Sequence, residues 1–445
     1  MKDFAGYEIT GTDARANERI GQAIHEMQCL IGDPFATITQ ALEFSPASTI
    51  AHVAKAWMLL LGTEPGAIGM ARDCWREGSA LAANDRERRH LAAVGELVRG
   101  RWRAAGRLLE DLSIDYPRDA LALQAGHHID FFVGDSRMLR DRIGRAIGQW
   151  DDSMPGYHAV LGMHAFGLEE CGDYGRAEAA GRRAVELEPR DGWAQHAVAH
   201  VMEMQGRRRD GISWMRGNEA GWSTDSFFAV HNWWHLAVLH LGLDEIDEAL
   251  ALYDGPIAGP ASPLALRMID QSSLLWRLEL AGVDVGNRWQ VLADRWAPHA
   301  AAGNYAFNDW HAMMAFLGAG RHELVAELLQ TQARALDAEG DNADFLREVG
   351  AAATQAILAF GAKDMAGAAR LLRDIRSRAH RFGGSHAQRD LIDLTLIAAA
   401  HRGGDHRLAQ ALCAERVAAI NGPLPAWLAG MADGGTLAQR QRLAA

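Results

Sequence analysis

The chain has 445 residues, 49% hydrophobic and 23% charged, and a formal net charge of −12. This composition is ordinary for a folded soluble protein, and the acidic excess argues against a broad nucleic-acid surface. With only 12 prolines, long stretches rich in Ala, Leu, Arg and Glu, and no Val/Ile/Thr runs of period two, a sheet protein is excluded and an all-α fold is predicted.

Met1 to Asp13 is polar and acidic where a signal peptide needs an apolar stretch. Apolar runs such as Ala56 to Gly62 are too short to span a bilayer, so no membrane segment is expected. Cys29, Cys74, Cys171 and Cys413 have neither disulfide nor metal-ligand spacing. They read as buried thiols in a reducing, cytoplasmic setting.

The segment from His158 to Asp191 has the length of one 34-residue helix–turn–helix unit. Its small or apolar residues fall at Leu161, Ala165, Leu168, Ala177, Gly181 and Ala184, where two helices must cross closely. Gly172-Asp173 supplies the turn and Pro189 closes the second helix. Tyr116-Pro117-Arg118-Asp119 parallels Glu188-Pro189-Arg190-Asp191, and Pro46 precedes Pro117 by a similar interval. This is the tetratricopeptide (TPR) pattern. It predicts a TPR-like α-α solenoid, a right-handed superhelix of helical hairpins.

The first helix of a TPR unit lines the concave surface through its second, fifth, ninth and twelfth positions. Carried forward from Asp191, that register puts Trp193, His196, His200 and Glu203 on the inner face. A shift of 35 residues lays His231 and His235 over His196 and His200. Two neighbouring units thus each present a His-x-x-x-His pair to one surface. Two such pairs alone are close to chance in a chain with 19 histidines; their coincidence with inward positions is the stronger signal. A shift of 72 residues brings His128 to the position of His200, and His311 precedes its Leu-Gly turn as His235 does.

Imidazole pairs at this spacing suit a divalent transition metal such as Zn, Fe or Mn, with His196, His200, His231 and His235 as ligands. Glu203 is the candidate third ligand or general base, and Asp309 a candidate carboxylate to orient an imidazole. His128, Trp193, Asn232, Asn308 and His311 are candidate substrate contacts. A metal-free polar pocket that hydrogen-bonds an organic ligand is the competing reading.

Helical patterns continue at Asp244 to Tyr253, His322 to Leu336 and Ala366 to Arg376. Gly255-Pro256 and Gly259-Pro260 are expected to break the chain, and Gly282 to Asn287 and Gly303 read as long connections. Residues 1–254 are therefore read as TPR-like repeats carrying the histidine pairs. Residues 255–445 are read as an irregular continuation of the same solenoid. Further on, paired glycines Gly383-Gly384 end one helix, and Ser385 with Gln388 forms a capping box for the next. Arg389 opposes the positive end of that helix dipole, which points to a partner carboxylate or substrate anion.

On these residues the chain resembles the tetratricopeptide repeat protein 38 family. The likeness is carried by Trp193-Ala194 with His196-Ala197-Val198-Ala199-His200 and Glu203-Met204, and by His231-Asn232-Trp233-Trp234-His235. Asp254, Asp270, Leu275 with Arg277-Leu278, and Gly286 with Arg288-Trp289-Gln290 extend it. So do Phe307-Asn308-Asp309 with His311, and Gly383-Gly384-Ser385 with Ala387-Gln388-Arg389-Asp390. The resemblance implies a TPR-like helical fold and supplies no settled activity. His164 departs from it, standing where the pattern has an aromatic residue. Two functions follow as expectations. One is a metal-dependent enzyme, a hydrolase ahead of an oxygenase, acting on a small molecule. The other is a scaffold that grips a peptide or protein partner in its groove. Inward His, Glu and Trp favour the first, since peptide grooves commonly present Lys, Arg and Asn.

Overall fold

The computed structural model describes residues 1–259, 264–420 and 422–432. Among them every regular element is a helix; the extended pairings are two isolated bridges, Lys2 with Glu8 and Ile31 with Ser226. Helices pack most closely against their neighbours in sequence, as hairpins do, and the fold is an all-α helical-repeat solenoid. No described helix is long and apolar enough to cross a membrane.

The unit read from the sequence is present as the helices Tyr157–Glu169 and Tyr174–Leu187. Gly172 takes the left-handed conformation its turn requires, with φ at 80°. Leu161 and Ala184 pack with Ala194 of the following helix, and Leu168 and Ala177 with Val201. Each fully buried Leu of this kind contributes about 1.5–3 kcal/mol. Gly181 has to be small: a Cβ there would lie 2.5 Å from Val198 Cγ2 and 3.4 Å from Ala165 Cβ. The echo between Asp119 and Asp191 also has a structural basis. Each side chain accepts a backbone N–H at the start of a helix, from Ala122 and Ala194 respectively.

Farther along, the sequence reading needs correction in detail. The helix expected from Asp244 runs Ile246–Leu252, and Gly255-Pro256 does not end it. The chain continues through a π-helical turn, Tyr253–Ile257, with Pro256 inside it. A wider turn accommodates a ring that cannot donate to the α-helical ladder. Pro260 lies outside the described residues. His322–Leu336 is helical as expected; the next predicted stretch is Met365–Ile375 followed by a 3₁₀ segment, Arg376–Phe382.

By contacts the chain groups into two compact units. The first is Met1–Val201 with Gly217–Asn232; the second is Met202–Arg216 with the chain from Trp233 onward. The division passes through the helices Gly192–Met204 and Ala229–Leu241. His128, Trp193, His196, His200, His231 and Asn232 belong to the first unit. Glu203, His235, Asn308, Asp309, His311 and Arg389 belong to the second.

Candidate functional site

The helix Gly192–Met204 starts at the Asp191 cap and buries Ala194, Ala197 and Ala199, so its histidine face sits close to its neighbours. Four residues apart on that face, the rings of His196 and His200 meet edge to face, with centroids 4.4 Å apart. His231, from the helix Ala229–Leu241, brings its ring centroid to 4.9 Å from His196. Each of the three rings offers a nitrogen, and these atoms lie within 4.8 Å of one another. The two helices are tied at their starts by Asn232, whose Nδ2 donates to the Gly192 carbonyl oxygen at 3.2 Å. Asn232, an expected substrate contact, uses one amide N–H for this tie.

Aromatic rings wall the cluster. Phe166 stacks on His196 at 5.2 Å and meets His200 edge-on at 5.3 Å. Trp193 lies 4.9 Å from His196, and Phe228 lies 4.9 Å from His231. His128 packs on Trp193 at 5.3 Å, so the expected contacts Trp193 and His128 do join this neighbourhood. Burial lowers the pKa of His128 despite its hydrogen bond to the Gln124 carbonyl, and lowers that of His127 further. His196 and His200 are buried rather than displayed on an open groove.

A carboxylate pair that sequence reasoning missed stands beside His200. Glu169 ends the helix Tyr157–Glu169 and Glu170 follows it directly, with Glu169 Oε2 at 3.7 Å from His200 Nδ1. Glu169, Glu170 and His200 form a second set whose ligand atoms lie within 4.8 Å of one another. One signal was available: Glu169 precedes Glu203 by 34 residues, one full repeat.

His235 follows His231 by one turn of the same helix. Its Nδ1–H donates to Glu203 Oε2 at 3.1 Å, which fixes the tautomer with the lone pair on Nε2. Burial pushes the Glu203 carboxyl up to about 7, against the pull of the Arg277 guanidinium. Glu203 thus orients an imidazole, a role the sequence had suggested for Asp309.

Asp309 instead accepts from the Gln332 amide at 3.3 Å, and burial pushes it up to about 7. His311 donates Nδ1–H to the Phe307 carbonyl at 2.9 Å, and burial drives its pKa down to about 3. The capping box of Ser385 and Gln388 is present, and Arg389 is buried with its guanidinium donating to the Gly384 carbonyl. Nearby, Arg277 is buried and donates to Ser273 and the Ala387 carbonyl, and Asp390 pairs with Arg416. Among the cysteines, Cys29, Cys74 and Cys413 are buried, whereas Cys171 is exposed. Cys171 lies in the turn after the Tyr157–Glu169 helix, where its thiol donates to the Ser136 carbonyl at 3.2 Å.

No protein-family model matches the chain.

Proposed function

We propose that the chain binds a divalent transition metal through His196, His200 and His231. The observation that carries this reading is the convergence of three imidazole nitrogens within 4.8 Å, two of them on buried rings. Imidazole nitrogens brought this close from two helices can approach one ion, which the rigid helices hold at a fixed separation. Zinc, iron and manganese all accept imidazole ligands.

On this reading the protein is an enzyme acting on a small molecule, and hydrolysis is the reaction class. Hydrolysis needs an open metal position for water and a base. One carboxylate of the same unit qualifies. Glu169, beside His200, can hold a ligand ring in place or accept a proton from bound water. The aromatic wall of Phe166, Trp193 and Phe228 suits an apolar or planar substrate portion. Burial of His196 and His200 argues against the peptide-groove alternative, which would need them exposed. The reading also takes the chain as a relative of the tetratricopeptide repeat protein 38 family, acting in the cytoplasm.

The test is metal analysis of protein purified without an affinity tag, alongside His200→Ala. Loss of metal in His200→Ala with helical content unchanged supports the site. Wild-type protein that takes up no transition metal removes the mechanism.

A further inference from the structure

The helix Ala14–Cys29 carries a second, unrelated spacing-four pair, His25 and Cys29, near its C-terminal end. Across from it stands His158, in the first turn of Tyr157–Glu169. His25, Cys29 and His158 each offer a ligand atom, and the three atoms lie within 4.8 Å of one another. The Cys29 sulfur is 3.9 Å from the His25 ring nitrogens, and the His25 and His158 rings cross at 82° with centroids 5.8 Å apart. Zn–S bonds of about 2.3 Å and Zn–N bonds of about 2.0–2.1 Å put neighbouring ligand atoms of a tetrahedral site roughly 3.3–3.8 Å apart. Small side-chain rotations therefore bring these three atoms onto one ion.

His158 supplies the decisive observation. Its Nδ1–H donates to Asp191 Oδ2 at 2.8 Å. Its Nε2 is buried and has no hydrogen-bond partner among the described residues, on a residue 8% exposed. A carboxylate on one nitrogen and an open second nitrogen is the arrangement of a metal-bound histidine. Asp191 is held in turn, because its Oδ1 caps the His196 helix at Ala194 N–H.

A bland reading, in which a capping aspartate simply pairs with a core histidine, can be compared directly. His90 and Asp119 make that pair two repeats earlier: His90 Nε2 bonds Asp119 Oδ2 at 3.0 Å. There the other nitrogen is used as well, accepting from Trp57 Nε1 at 3.3 Å. Among the described residues His90 belongs to no group that could hold a metal ion. The pairing is shared; the open nitrogen beside a cysteine and a second histidine is particular to His158.

We infer that His25, Cys29 and His158 form a binding site for a thiophilic divalent cation of the zinc class, with Asp191 as the positioning residue. The soft thiolate selects zinc or cobalt over magnesium, calcium or manganese. Three protein ligands leave the fourth position to water, on the side of His25, the least buried of the three. Binding displaces the Cys29 thiol proton, which burial otherwise retains by pushing that thiol well up. The ion joins the end of the first helix to the Tyr157–Glu169 helix. The chain just after Cys29 is already pinned to the lead-in of the His231 helix: Gly32 N–H donates to Asp225 O at 2.8 Å and Phe227 N–H to Leu30 O at 3.1 Å. The site thus clamps the same unit that carries the three-histidine cluster, independently of whether that cluster holds a metal.

Titration of the full-length, metal-stripped protein with Co(II), followed by absorption, tests this. A thiolate-to-cobalt charge-transfer band is expected in wild type, in Cys171→Ser and in His196→Ala. It should be lost in Cys29→Ser and reduced at least tenfold in apparent affinity in His25→Ala. The His25 variant guards against a folding defect, because that side chain is the least buried of the three. The histidine cluster has no sulfur and gives no such band, so the two sites are read separately. No charge-transfer band in wild type, or a band that survives Cys29→Ser, overturns the inference.

Discussion

Nδ1 of His200 stands 3.7 Å from Oε2 of Glu169, and both side chains are fully buried. The same relation recurs one repeat later, where Nδ1 of His235 meets Oε2 of Glu203 at 3.1 Å. In each case the glutamate ends one repeat's first helix and the histidine comes from the next repeat's first helix. The solenoid therefore builds Glu–His pairs by translation. A carboxylate on Nδ1 raises the basicity of the imidazole and orients its ring.

Glu169→Gln keeps the shape and removes the charge. It should weaken transition-metal affinity by roughly 10- to 100-fold, as loss of an orienting carboxylate does elsewhere. Competition with a chromophoric chelator measures this. Circular dichroism should stay unchanged, because one inner side chain is a small part of many repeat interfaces. An affinity within twofold of wild type would detach Glu169 from the site.

Asp309 gives a pH prediction with a definite sign. Its carboxyl is pushed up to about 7 by burial, above its ordinary value of 3.8. Between those values the folded chain holds a proton that the unfolded chain has released. Stability from this group is therefore complete below about pH 4 and is lost as pH rises through about 7. The loss is on the order of a few kcal/mol at most. Asp309→Asn should remove this dependence and melt higher than wild type at pH 8, with little difference near pH 4. Equal melting temperatures at pH 8 would show that Asp309 is ionised without penalty.

Gly384 is fixed by its surroundings. Its φ is +79°, and a Cβ would meet the Phe307 ring at 2.6 Å. Phe307 in turn lies against His311, with centroids 4.6 Å apart. Gly384→Ala should destabilise the protein by about 1–3 kcal/mol through backbone strain and overpacking. Denaturant midpoints measure this, and a neutral result would mean the loop shifts away from Phe307 freely.

How much of this was legible follows from range. Helix type, the 158–191 hairpin and the shared face of His196 and His200 depend on spacing within one element, and all were readable. So was the need for a small residue at Gly181. Contacts between helices were readable where a repeat offset translated them, as for His231. Glu169 stands one repeat before Glu203, but an acidic residue at a helix end is common and the offset alone does not mark it as facing a histidine. Cys29 looked isolated because its partner His158 comes from a helix over a hundred residues away. The π-helical passage through Pro256 was hidden for a different reason: Gly-Pro signals a break locally, and only packing shows that a helix absorbs it.

The central claim is that His196, His200 and His231 hold a transition metal. The most direct measurement is the metal content of untagged protein in a Cys29→Ser background, which removes the thiol-containing site from the count. Cys29→Ser protein should retain a stoichiometric transition metal, and adding His196→Ala or His231→Ala should abolish it equally while helical content holds. Absence of metal in the parent under every loading condition, or metal unaffected by both histidine replacements, would contradict the account.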